Sequence, residues 1–215
     1  MDKKMSSIIR RPFKYTFKNA TAILILINAA VFLLEKLFPS LAYYFSLNVV
    51  NCLGNKMFWQ PFTYMFVHGG FQHIFFNMIG LLCFGLSVER AIGTKEFVLM
   101  YLLIGLFGGI FSLIVYFALG MYGIFLMGAS GAIYGMLLAY AVIFPRNRIF
   151  IWGIIPVPAP ILVLAYAAIE FFSQFLGSRD GVAHSVHLAG FAFAWLYFVV
   201  RFGVNPVKIW KDTYR

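Results

Sequence analysis

Gly128-Ala129-Ser130-Gly131-Ala132-Ile133-Tyr134-Gly135 opens a hydrophobic run that ends at Phe144. A serine among small residues at the head of such a run has two readings. In the chemical one, small neighbours let the backbone turn tightly, leave the hydroxyl unshielded, and aim the free N–H groups of a helix N-terminus at an oxyanion. In the packing one, Gly131 and Gly135 form a small-xxx-small pair that brings two membrane helices together, and Ser130 hydrogen-bonds across the contact. Taken alone, the segment favours packing, because such pairs are frequent in membrane helices. The remainder of the chain shifts that balance.

Of 215 residues, 62% are hydrophobic and 11% charged, which is too apolar for a soluble domain and marks an integral membrane protein. The net charge of +10 could signal nucleic-acid binding, but its placement argues against that. Lys3, Lys4, Arg10, Arg11, Lys14 and Lys18 precede the first apolar run, and Arg201, Lys208, Lys211 and Arg215 lie at or beyond the end of the last. That distribution suits a cytoplasmic face lying on anionic lipid. Two cysteines, Cys52 and Cys83, make neither a disulfide framework nor a Cys-based metal site. Glu35-Lys36-Leu37-Phe38-Pro39 after the first apolar run is no small-residue cleavage site, so that run reads as a retained span.

The expected organisation is all-α: a six-transmembrane-helix bundle over residues 20–202, with a basic cytoplasmic segment at 1–19 and a basic cytoplasmic tail at 203–215. Spans are expected at Ala20 to Leu34, Phe71 to Val88, Phe97 to Leu119, Gly128 to Phe144, Ile161 to Leu176 and Val182 to Val200. Residues 35–67, apolar and aromatic but broken by Pro39, Gly54 and Pro61, read as a long interfacial loop. Short charged or polar links are expected at 89–96 and 177–181. The serine segment, roughly 25 Å of helix at 1.5 Å per residue, is short for a bilayer core of about 30 Å. With its Pro145 end at the cytoplasmic interface, Ser130 falls inside the membrane zone, towards the outer side. On this topology fourteen basic residues lie with the termini and three opposite, which supports cytoplasmic termini.

All four histidines fall in two apolar neighbourhoods, His68 and His73 at the second span, His184 and His187 at the sixth. Asn77 follows His73 by four residues and shares its helical face. Small residues around Gly190 let the sixth helix approach a neighbour closely. Each histidine alone reads as an interhelical hydrogen bond, and four together could bind zinc, though no carboxylate or thiolate partner is evident. Glu170, the acid within the fifth span, reads as hydrated near the interface, with a functional position as the alternative. Serine nucleophilic catalysis uses all the parts. Ser130 attacks a carbonyl, His187 takes its proton, and His73, Asn77 and the Ser130 N–H receive the oxyanion. With no acidic third member evident, this is a dyad, its imidazole held by packing from Tyr134 one turn after Ser130.

In these residues the chain resembles the rhomboid family of intramembrane serine proteases. The resemblance rests on Trp59, Thr63 and Phe66 before His68-x4-His73-x3-Asn77, then Glu89-Arg90-x2-Gly93, Gly128-Ala129-Ser130-Gly131 and Ala183-His184-x2-His187-x2-Gly190, in that order. It implies a six-helix rhomboid core with an outward-opening wet cavity, Ser130 as nucleophile, His187 as general base, His73 and Asn77 in the oxyanion hole, and Tyr134 stacked on His187. Gly128, Gly131 and Gly190 support the site. It further implies transmembrane protein substrates cut in or near their spans, no metal or other cofactor, and, with no additional span or large soluble extension in view, a bacterial inner membrane. Oligomeric state has no signal here. Two departures stand out: Gln60 where the family often has arginine after tryptophan, and Ala194 in place of a glycine, whose methyl group adds bulk at the contact of the fourth and sixth spans while leaving the helices able to pack. The rivals are a non-catalytic rhomboid-like protein that binds membrane clients, although such relatives typically lack the serine or the histidine, and a transporter using Glu170 and the histidines as a proton path.

Overall fold

A computed structural model describes residues 10–151, 153–176 and 183–215. The first nine residues, the link expected at 177–181 and the start of the sixth span at Val182 lie outside them. In chain order the elements are α1 (Ala20–Leu37), α2 (Ser40–Phe45), α3 (Gln60–Thr63), α4 (Phe71–Gly80), α5 (Leu86–Ile92), α6 (Thr94–Ala118), α7 (Ser130–Ile143), the strands β1 (Arg148–Ile151) and β2 (Ile155–Pro158), α8 (Ala159–Leu176), α9 (His184–Tyr197) and α10 (Pro206–Thr213). A π-turn at Leu81–Gly85 joins α4 to α5, and another at Phe198–Phe202 extends α9.

Among the described residues, four helices are long and apolar enough to cross a membrane: Ala20–Leu37, Phe71–Ile92, Thr94–Ala118 and His184–Phe202. α7 and the apolar part of α8 are shorter. Their surfaces differ in kind. α1 and α8 expose Ile23, Leu26, Leu33, Ile161, Leu164 and Phe172, side chains suited to lipid. α7 is enclosed, with Met136, Ala139 and Ala141 wholly buried and α6, α8, α9 and the first π-turn packed around it. At 14 residues it is about 21 Å long.

Glycines let α9 come against α7. A Cβ on Gly190 would stand 2.0 Å from the Gly131 carbonyl oxygen, and one on Gly135 would stand 3.1 Å from the Gly190 oxygen. The approach survives Ala194, which is itself fully buried.

Several expectations need correction. The chain is not purely helical: between α7 and α8, β1 pairs antiparallel with β2, Arg148 opposite Pro158 and Ile151 opposite Ile155. Two prolines disguise the second strand, yet an isolated hairpin tolerates them because a strand with a free edge can spare N–H groups. The region expected as a loop from residue 35 is helical through Leu37 and again at α2 and α3. It is fastened by polar side chains: Trp59 Nε1 donates to Tyr44 O (2.9 Å), Thr63 Oγ1 to Phe45 O (2.9 Å), and the wholly buried Gln60 accepts from Asn48 N (3.1 Å) while donating to Tyr44 O (3.2 Å). Gln60 thus ties the loop together through its side-chain amide.

The charged link at 89–96 is not a loop either, since only Gly93 separates α5 from α6. Its acids are buried. Glu89 accepts from Ala20 N (2.7 Å), Thr21 N (2.9 Å), Thr21 Oγ1 (2.8 Å) and Thr94 Oγ1 (2.6 Å), so it caps the free N–H groups that open α1. Glu96 takes a two-pronged contact from Arg201, Nε to Oε1 at 2.7 Å and Nη2 to Oε2 at 2.8 Å. Nor does the tail hang free. Asn205 caps α10, Trp210 Nε1 donates to Ala141 O (2.9 Å), and Tyr214 Oη donates to Pro145 O (2.6 Å), closing off the carbonyl end of α7.

Gly190→Ala places a methyl group against backbone that cannot step aside. Its cost should be about 1–3 kcal/mol of unfolding free energy, whereas Gly123→Ala, with no atom within 4 Å of its Cβ, should change it by less than about 0.5 kcal/mol. Denaturation of the two variants in detergent measures the difference.

Candidate active site

Two loops hold the head of α7. Leu47 and Leu126 exchange backbone bonds (2.9 and 2.8 Å), Asn48 Nδ2 reaches Tyr122 O and Ile124 O (2.8 and 2.9 Å), and Gly128 N donates to Tyr64 O (3.0 Å). Tyr64 is itself fixed, fully buried with its hydroxyl on Gly105 O at 2.8 Å. Gly128 has φ +112°, a conformation other residues rarely adopt. A side chain there is also barred by space: its Cβ would stand 2.6 Å from His73 Nε2 and 3.5 Å from Asn77 Nδ2. The turn therefore lays its backbone directly on those two side chains. Ser130 follows as the first helical residue, partly exposed, and Ala129 before it gives the helix no side-chain cap.

His187, on α9, brings Nε2 to 2.7 Å from Ser130 Oγ. Tyr134 lies flat over that imidazole, with ring centroids 4.2 Å apart and planes 6° from parallel. Asn77 is buried on α4, and its Nδ2 has no hydrogen-bond partner among the described residues. His73 meets His68 edge to face, with centroids 5.2 Å apart. The sequence-derived residues Ser130, His187, Tyr134, His73, Asn77, Gly128, Gly131 and Gly190 thus converge where α4, α7 and α9 meet. What this arrangement can do chemically is to pass a proton from hydroxyl to imidazole beside an unused amide donor.

Glu170 overturns its sequence reading. Instead of sitting hydrated at the interface it is 4% exposed, turned inward on a helix whose neighbouring Ile169, Phe171 and Phe172 face outward. Its Oε2 is 2.6 Å from His184 Nδ1, and its Oε1 receives the Tyr134 hydroxyl at 2.5 Å and lies 2.9 Å from His187 Nδ1. The last contact is of ion-pair length, but Oε1 stands off the ring N–H axis, so it is not a formed hydrogen bond. An acid beside the imidazole was missed although the signal existed: His184 and His187 are three apart on one helix, and a buried acid in an apolar span needs such donors. Tyr64 carried no comparable signal. As for the zinc reading, no group of three His, Cys, Asp or Glu side chains among the described residues is arranged to hold a metal ion.

His68 lies in the loop ahead of α4, with Nδ1 3.3 Å from Phe66 O and its own N–H donating to Glu35 Oε2 at 3.3 Å. Burial, reinforced by the neighbouring His73, pulls it down to about 4.

Comparison with known proteins gives a consistent result. Residues 55–203 match the family described as the Rhomboid domain. RHOMBOID-like protein 4 of Arabidopsis thaliana is 31% identical over 138 residues, 64% of this chain and 32% of that protein. RHOMBOID-like protein 12, mitochondrial, from the same plant, is 30% identical over 186 residues, 80% of this chain and 55% of that protein. Rhomboid protease GluP of Bacillus subtilis is 38% identical over 90 residues, 42% of this chain and 17% of that protein. The chain thus spans between a sixth and about half of the length of these relatives. Because they come from plant and bacterium alike, they give no support to the bacterial inner membrane expected from the sequence.

The depressed His68 value has a stability consequence. Below its free value near 6.5 the unfolded chain takes a proton that the folded protein refuses, so stability is lost as pH falls from about 6.5 towards 4. The loss attributable to this ring should approach 3 kcal/mol, at about 1.4 kcal/mol per pH unit. Thermal unfolding between pH 7 and 4 should show a shallower decline in His68→Phe than in the native protein.

Proposed function

The chain belongs to the rhomboid family, and from that premise we propose that it is an intramembrane serine endopeptidase that hydrolyses peptide bonds in or near the transmembrane segments of other membrane proteins. The observation that carries this reading is the 2.7 Å contact between Ser130 Oγ and His187 Nε2, made between two helices that glycines allow to touch. Ser130 Oγ adds to the scissile carbonyl as its proton passes to Nε2. The tetrahedral oxyanion is received by the Ser130 N–H, by Asn77 Nδ2, whose donor capacity is unspent, and by His73. Nε2 then returns the proton to the departing amine, and a water molecule, activated by the same nitrogen, releases the acyl product.

The remaining parts of the proposal follow from the bilayer. α7 and α8 complete a six-helix bundle with cytoplasmic termini, in keeping with the placement of basic residues. The shortness of α7 leaves Ser130 recessed below the outer surface, where water can reach it. A substrate helix shields its own carbonyls, so it must unwind before attack; Gly, Ser or Pro near the cut should favour cleavage by weakening the helix or favouring a bend.

Reconstitution with a model transmembrane substrate tests the reading. Ser130→Ala and His187→Ala should each lower turnover by at least about 10³-fold, and Asn77→Ala by about 10²-fold, the usual worth of one oxyanion donor. A fluorophosphonate should label Ser130 in the native protein and in neither of the first two variants. Equal product from the native protein and Ser130→Ala would overturn the assignment.

A further inference from the structure

We propose that Glu170 is a positioning residue for His187, turning the serine–histidine pair into a serine–histidine–glutamate relay; this rests on the protease reading above. The geometry comes from three helices. α8 supplies the carboxylate, α9 supplies His184 and His187, and α7 supplies Tyr134 together with Ser130. Glu170 Oε2 is held by His184 Nδ1 at 2.6 Å and Oε1 by the Tyr134 hydroxyl at 2.5 Å. The carboxylate is therefore fixed by two donors before His187 is considered. Its third neighbour, His187 Nδ1, is 2.9 Å away, on the opposite side of the ring from the nitrogen that meets Ser130.

Two properties follow. An anion beside Nδ1 selects the tautomer that carries its proton there, leaving the Nε2 lone pair free for the Ser130 hydroxyl. It also favours the imidazolium that forms when Nε2 takes that proton. The proton moves from Ser130 Oγ to Nε2 and later to the leaving amine; the Nδ1 proton stays on the ring, and Glu170 stays ionised throughout. At rest the contact between Oε1 and Nδ1 is one of charge at 2.9 Å rather than a linear hydrogen bond, and Tyr134 holds the ring flat beside it. Tyr134 thus serves both partners, its ring lying on His187 and its hydroxyl on Glu170.

Glu170→Gln keeps the shape and removes the charge, whereas Glu170→Asp keeps the charge one methylene further back. The titratable groups facing the carboxylate are His184 and His187 from α9 and Tyr134 from α7, with Tyr166 of α8 packed edge-on against Tyr134. In Glu170→Gln, kcat should fall about 100-fold, equivalent to about 2.7 kcal/mol of barrier, while KM changes less than about twofold. Glu170→Asp, which keeps the charge, should lose less in kcat with KM again near its native value. Native kcat in Glu170→Gln, or equal losses in both variants, would reduce Glu170 to a packing role. Ser130→Ala run alongside separates the two ideas, since a native protein no more active than that variant sinks the protease reading itself. In that case, or if Glu170→Gln does not fold, the native protein labelled with nitrogen-15 histidine decides the matter. A far-downfield His187 Nδ1 proton marks the carboxylate contact, and its absence at all pH values from 5 to 9 overturns the relay.

Discussion

The Gly190 backbone lies so near the Gly131 carbonyl that a single methyl group would come within 2.0 Å of that oxygen. In water, two helices can be pressed together by the apolar surface they hide; in lipid that force is largely absent, and close packing must supply the attraction. The contact also fixes distances beyond itself. Ser130 is one residue before Gly131, and His187 is three residues before Gly190, so backbone touching backbone sets where hydroxyl and imidazole meet. A bulkier seam would widen the 2.7 Å separation between Oγ and Nε2.

The same need to satisfy polar groups away from water explains the parts of the chain that do not cross. A helix leaves unpaired N–H groups at its start and unpaired carbonyls at its end. At α1 the start is served by Glu89 from a different helix, and at α7 the end is served by Trp210 from α10. The head of α7 is treated otherwise. There the loops pin the preceding turn through Tyr64, Leu47 and Asn48, while no side chain caps the helix itself. Donors that elsewhere would be consumed by structure are left facing the space beside Ser130.

How much of this was legible in the sequence depended on whether the signal was local. The helices of the membrane region came from unbroken apolar runs, and the grouping of Ser130, His187, His73 and Asn77 from polar residues that a bilayer tolerates only for a reason. The hairpin between α7 and α8 escaped because Pro156 and Pro158 argue against a strand wherever both edges are bonded, which here they are not. The short helices at 40–45 and 60–63 escaped because their stability comes from Gln60, Trp59 and Thr63 reaching distant carbonyls, contacts with no periodicity to betray them. Glu170 was misread for a related reason. Its depth was judged from its own helix, whereas its partners sit on α7 and α9.

Buried acids show why that partner set matters. Glu96 is matched by the guanidinium of Arg201, a charge that does not come and go, with the Tyr197 hydroxyl beside it. Glu89 is matched by the fixed dipoles of a helix start and two hydroxyls. Both solutions are static and suit an anchor. Glu170 also receives a phenol, but its other partners are two imidazoles, groups whose protons can be shared or moved. A structural anchor gains nothing from such partners over an arginine, and loses constancy. A group that must tolerate the arrival of a proton on a neighbouring ring gains a great deal, because the positive charge then appears beside an anion already in place rather than in bare hydrocarbon. On the proposed mechanism, the burial of Glu170 among titratable donors serves the passage of one proton at His187 as well as the holding together of three helices.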